Sequence, residues 1–107
     1  MNWPSPTDLA DAPPWRNYVV AQCAQAALGQ LPRHVLAYGV SIDDTEIGLQ
    51  FQLSEIAPDD RESIDEIVDD LETLMGPDVN VAVTRRRVGR PSINPRDGID
   101  WVFIARV

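Results

Sequence analysis

The chain has 107 residues, with 17 acidic side chains against nine basic ones, one histidine, one cysteine and a formal charge of −8. That length suits one small domain with a single core, and it excludes a multidomain enzyme. A lone cysteine makes neither an internal disulfide nor a zinc cluster, and no apolar run approaches the roughly 18 residues that cross a bilayer.

Residues 1–14 contain four prolines and little apolar periodicity, so a flexible N-terminal arm is expected, with Trp3 as its one aromatic side chain. This start lacks the charged beginning and apolar middle of a signal peptide, which points to a cytoplasmic protein. A single domain is expected over residues 15–107. From Trp15 to Leu31 the apolar residues Val20, Cys23, Ala24, Ala27, Leu28 and Leu31 recur at helical spacing behind Pro13 and Pro14, and the run ends before Pro32.

A hairpin follows. Leu36, Tyr38, Val40 and Ile42 alternate with smaller residues, Asp43-Asp44-Thr45 supplies a turn, and Ile47, Leu49, Phe51 and Leu53 resume the alternation. Pro58 suits the first turn of a second helix, with Asp59, Asp60 and Glu62 complementing its positive end as solvated capping residues. Ile64, Ile67, Val68, Leu71, Leu74 and Met75 mark its apolar face, and Gly76-Pro77 stop it. A third strand runs from Val79 through Val81 and Val83 into Arg85-Arg86-Arg87. The Gly89–Gly98 loop leads to a closing strand that is apolar on both faces, with Ile99, Trp101 and Phe103 on one and Val102 and Ile104 on the other, and it is expected to be flanked by neighbours or covered at one end.

The predicted fold is a two-layer α+β domain of order α-β-β-α-β-β, helix, hairpin, helix, hairpin, with a four-stranded sheet and both helices on one face. The other face, carrying Ala37, Gly39, Ser41, Gly48, Gln50, Gln52, Asn80, Ala82 and Thr84, is expected to be open and almost uncharged. It is either a solvated sheet or a contact surface.

Charge is distributed unevenly along the chain. Residues 1–40 balance, residues 41–80 hold thirteen acids against Arg61 for −12, and residues 81–107 hold six arginines against Asp97 and Asp100 for +4. Glu62, Asp65, Glu66, Asp69, Asp70 and Glu72 cover the polar side of the second helix. They read either as a solvated face or as a partner-binding surface able to block a basic protein. Arg85, Arg86, Arg87 and Arg90 form a second candidate surface. Gly89-Arg90-Pro91 resembles part of a minor-groove hook, but the net charge repels a phosphate backbone and successive strand residues point to opposite faces. Pairing with the acidic helix, within one molecule or between two, is the alternative.

Catalytic chemistry is thinly supplied. Cys23 sits on an apolar stripe and His34 at a strand start, which reads as core packing and a turn respectively, so no catalytic residue is assigned. Asp43, Asp44 and Glu46, and likewise Asp59, Asp60 and Glu62, lack the spacing of a calcium loop, and no glycine-rich phosphate loop occurs. No metal or cofactor is expected.

Taken over residues 15–107, the size, acidity, element order and closing strand Gly98-Ile99-Asp100-Trp101-Val102-Phe103-Ile104 resemble the immunity proteins of bacterial contact-dependent inhibition and related polymorphic toxin systems. Uncharacterised bacterial families of the same α-β-β-α-β-β order are resembled equally. The first resemblance implies a non-enzymatic inhibitor that binds a cognate toxin inside the producing cell, and it carries over no functional residue. The expected partner is a basic protein, with neither nucleic acid nor membrane involved. Self-association into a homodimer, as a structural or regulatory protein, is the alternative.

Overall fold

A computed structural model describes residues 12–94 and 96–106. The expected arm therefore lies outside the described residues up to Asp11, Trp3 included. The elements are α1 (Ala12–Ala27), β1 (Val35–Asp43), β2 (Glu46–Leu53), α2 (Pro58–Met75), β3 (Asn80–Arg87) and β4 (Asp100–Ile104). The order and the four-stranded sheet are as predicted.

β1 and β2 pair antiparallel from Val35↔Leu53 to Asp43↔Glu46. Their turn is short because Asp44 takes a positive φ of 53°, a conformation that a short polar side chain tolerates. The alternating apolar residues bring Tyr38 onto Phe51, stacked at 4.8 Å between ring centroids. With Val40, Ile47, Leu49 and Leu53 they make the sheet's half of the core, and Ile64, Ile67 and Leu71 of α2 close it from above. Tyr38 also donates its hydroxyl to the carbonyl of Cys23 at 3.0 Å, tying α1 to β1.

The stripe that α1 buries is rotated from the one predicted. Trp15, Val19, Cys23, Ala26 and Ala27 face the core, while Ala24 is exposed and Leu28 is 75% exposed. A helix so rich in alanine carries apolar residues on every side, so its burial is decided by anchors elsewhere. Two are visible: the Trp15 indole donates to the carbonyl of Asp44 at 3.0 Å, and Arg16 grips Asp100. The helix also starts at Ala12, within the segment expected to be an arm, because Pro13 and Pro14 are tolerated in a first turn whose N–H groups need no partner.

The second hairpin is not formed. The strand order is β3-β2-β1-β4, with β3 parallel to β2 and β4 antiparallel to β1, so β3 and β4 occupy opposite edges. The reason lies in α2. A helix between β2 and β3 is a crossover connection, which returns the chain to the same end of the sheet and lays β3 parallel to β2. The remaining vacancy is beside β1. The chain reaches it by the segment from Val88 to Ile99, anchored on the face away from the helices by a pair of hydrogen bonds with the Gln52 side chain: Gln52 Nε2 donates to Ser92 O and Ser92 N–H to Gln52 Oε1, both at 2.7 Å.

β4, expected to be flanked by neighbours or covered at one end, is an edge strand among the described residues. Its expected faces are also redrawn: an irregularity in the pairing with β1 between Tyr38 and Gly39 skips Val102, so Trp101 and Phe103, predicted on one face, separate. Phe103 and Val102 pack against the core, while Trp101, registered with Gly39, lies on the opposite face. The face predicted to be open is thus partly covered, and Ala37 and Gln52 are buried.

Gly39 is required here by close approach. A Cβ at this position would stand 2.6 Å from Ile99 Cγ2, 2.7 Å from Trp101 Cε3 and 3.1 Å from the carbonyl of Asp100. Gly39→Ala should destabilise the domain by roughly 1–3 kcal/mol and displace the Trp101 indole. A urea titration together with the Trp101 indole N–H resonance measures both; an unmoved indole signal would contradict the packing described.

Candidate functional site

α2 owes its polar surface to its own sequence. The buried Ile64, Ile67 and Leu71 point to the sheet, which leaves Glu62, Asp65, Glu66, Asp69, Asp70 and Glu72 exposed on the outward side. The structure brings all six predicted acids onto one face. Its two borders are engaged: Asp65 meets Arg85 of β3 at 3.7 Å, and Asp70 accepts from Gln30 Nε2 at 2.6 Å. Among the described residues no ion pair engages Glu62, Glu66, Asp69 or Glu72. Their mutual repulsion, a few tenths of a kcal/mol per close pair, is offset by the buried face.

The arginines do not gather into one patch. In the parallel register Arg85 and Arg87 stand beside Phe51 and Leu53 on the helix-covered face, Arg86 stands beside Gln52 on the other, and Arg90 lies in the connection beyond. All four are exposed. Only Arg85 reaches the acidic helix, and then weakly, since an exposed pair at this distance contributes at most about 1 kcal/mol.

Asp60, predicted to be a solvated cap, is completely buried. Its carboxylate accepts from the N–H of the N-cap residue Ala57 at 2.9 Å, from the backbone N–H of His34 at 3.1 Å, and meets His34 Nδ1 at 2.6 Å. Burial by itself pushes the carboxyl up, but the hydrogen bonds from Ala57 and His34 outweigh it and hold Asp60 below the usual carboxylate range. One side chain thus caps α2 and fixes the start of β1. The other ring nitrogen of His34 faces Glu55 Oε2 at 3.2 Å.

A histidine backed by a buried carboxylate is half of a nucleophile-activating arrangement. The other half is missing among the described residues, because Glu55 occupies the Nε2 side and Ser54 Oγ turns to the His34 carbonyl instead. Cys23 is fully buried, and burial pushes its thiol up to about 12, with the Tyr38 hydroxyl opposing, so it stays protonated and unreactive at ordinary pH.

Sequence reasoning missed two contacts. Arg16 and Asp100 form a bidentate pair with both N–H···O distances 2.7 Å, across 84 positions of sequence; the bond to Asp100 pushes the arginine up. The Gln52–Ser92 tether is the second. Neither leaves a signal in local periodicity, since each depends on which strand borders which.

Below the tether, part of the sheet face stays uncovered as a shallow groove of about 340 Å³ whose lining includes Ser41, Gln50, Thr84, Asp43 and Glu46. Among the described residues there is no group of three or more histidine, cysteine or acidic side chains placed to hold a metal ion, and no helix long and apolar enough to cross a membrane.

The fold and surfaces together define a mixed-sheet α+β domain with a carboxylate-covered helix on one side. No protein-family model matches the chain, and no curated protein matches it.

Proposed function

We propose that this chain is a non-enzymatic, cytoplasmic protein-binding module that presents the carboxylate face of α2 to a basic protein partner. In its most concrete form it is a bacterial immunity protein that occupies the basic surface of a cognate toxin. The observation that carries this reading is that Glu62, Glu66, Asp69 and Glu72 are exposed on a helix whose opposite face is buried, with no cation pairing them among the described residues. Such a surface accelerates association with a basic partner and selects against acidic ones.

The test is charge reversal. Glu62→Lys, Glu66→Lys and Asp69→Lys together should leave folding stability within about 1 kcal/mol, because the sites are exposed. They should weaken binding to a basic protein that co-purifies with the chain about 100-fold or more at low salt, since like charges placed across an interface cost several kcal/mol. Calorimetric titration at several salt concentrations measures this. An unchanged affinity with an unchanged salt slope would reject the acidic face as the binding surface.

A further inference from the structure

The outer edge of β3, which pairs with no strand among the described residues, carries an inference that does not depend on the acidic face. The N–H of Asn80 donates to Thr45 O and that of Val88 to Leu53 O, both at 2.8 Å, so the even-numbered residues of this strand turn their backbone groups toward β2. By strand geometry the N–H and C=O groups of Val81, Val83, Arg85 and Arg87 then point outward, away from the sheet. Side chains follow the register instead. Val81, Val83, Arg85 and Arg87 stand on the helix-covered face, and Arg86 on the other. The edge therefore begins with outward backbone groups bordered by valines and ends with ones bordered by arginines.

We propose that β3 is a docking edge for an extended acidic segment of a partner protein. The segment adds to the sheet as an antiparallel fifth strand, with carboxylates beside Arg85, Arg86 and Arg87 and β-branched residues beside Val81 and Val83. Charge complementarity selects this occupant. Among the described residues Arg86 and Arg87 have no carboxylate partner, and Arg85 meets Asp65 only at 3.7 Å. A second copy of the chain fits less well: antiparallel pairing of two β3 edges must set outward-turned residues opposite one another, and in the register centred on Thr84 this places Arg85, Arg86 and Arg87 opposite Val83, Ala82 and Val81, leaving three cations in each copy with no carboxylate across from them. Charged residues on an edge strand deter unspecific pairing. Here they also define the one kind of strand that is admitted.

The probe is an acetylated, amidated eight-residue peptide matched to the strand, three glutamates followed by Thr-Val-Thr-Val-Thr, titrated into the full chain and followed by amide resonances. The expected result is saturable binding with the largest shifts at the N–H groups of Val81, Val83, Arg85 and Arg87. Replacing the three glutamates by lysines should weaken binding tenfold or more at low salt, as should N-methylation of the peptide at its third, fifth and seventh residues, which removes the pairing donors. Arg86→Glu with Arg87→Glu should weaken it similarly while leaving the melting curve in place. The proposal is overturned by no saturable binding up to millimolar peptide, by shifts centred on another element, by equal binding of the N-methylated peptide, or by sedimentation showing that two copies bury β3 against each other.

Discussion

Asp60→Ala is expected to cost about 3–5 kcal/mol of folding stability at neutral pH. The carboxylate is completely buried and serves three donors from two segments, Ala57 N–H ahead of α2 and the backbone and ring of His34 ahead of β1. Removing it strands all three and uncouples the start of the helix from the start of the central hairpin. Since a domain of this size has a total stability of about 5–15 kcal/mol, the alanine variant sits near the threshold of folding. Asp60→Asn, which keeps the shape and loses the charge, is the variant to measure alongside it.

The pH dependence of the same residue follows from the direction of its shift. Asp60 is held below its ordinary value of 3.8 in the folded protein, so the folded state resists protonation and the unfolded state binds the proton first. Its contribution is therefore complete above about pH 4–5 and is lost as pH falls through the folded value. Urea midpoints should decline from pH 5 toward pH 2 in the parent protein, and the gap between parent and Asp60→Asn should narrow over that window. A gap that stayed constant down to pH 2 would show that the carboxylate's charge contributes nothing.

Phe51→Ala should be comparably damaging, about 3–5 kcal/mol, for a reason that is steric instead of electrostatic. Phe51 is 1% exposed and stacks on Tyr38, which is fully buried. It belongs to a core cluster drawn from α1, the central hairpin and α2. Because β1 and β2 form the middle of the sheet and each carries an outer strand, the backbone there cannot collapse into the vacated space without disturbing β3 or β4. Phe51→Leu, which fills most of the volume, should recover more than half of the loss. Thermal or urea unfolding of the two variants decides the point, and near-equal losses would mean that the cavity closes or that packing at this site is loose.

These two residues illustrate how unevenly local pattern conveys tertiary role. The alternation Ile47, Leu49, Phe51, Leu53 places Phe51 in the core without any knowledge of the fold, because a strand with one buried face repeats every two residues. Asp60 belongs to an acidic run whose other members Asp59 and Glu62 are exposed. Nothing in the run distinguishes the one carboxylate that turns inward, since its partners arrive from His34, 26 positions away.

The acidic face of α2 was legible for the opposite reason. Once Ile64, Ile67 and Leu71 are taken as buried, helical geometry alone puts Glu62, Asp65, Glu66, Asp69, Asp70 and Glu72 outside. The rotated stripe of α1 was illegible because alanine on every side provides no contrast, and the anchors Trp15–Asp44 and Arg16–Asp100 that orient it are long-range.

From the sequence by itself came the elements, their order, the central hairpin and the polarised charge, all consequences of periodicity and composition that act within a few residues. Only the tertiary structure decided that β3 and β4 border opposite edges, that the connection between them is pinned across the sheet by Gln52, and that the basic strand ends beside α2 with an outer edge that no described strand pairs. The physical reason is that strand pairing is chosen by competition among edges. β2 offered its free edge to the chain leaving α2, and β1 offered the edge that remained. Local pattern specifies which face of a strand is buried, but not which neighbour its backbone will find.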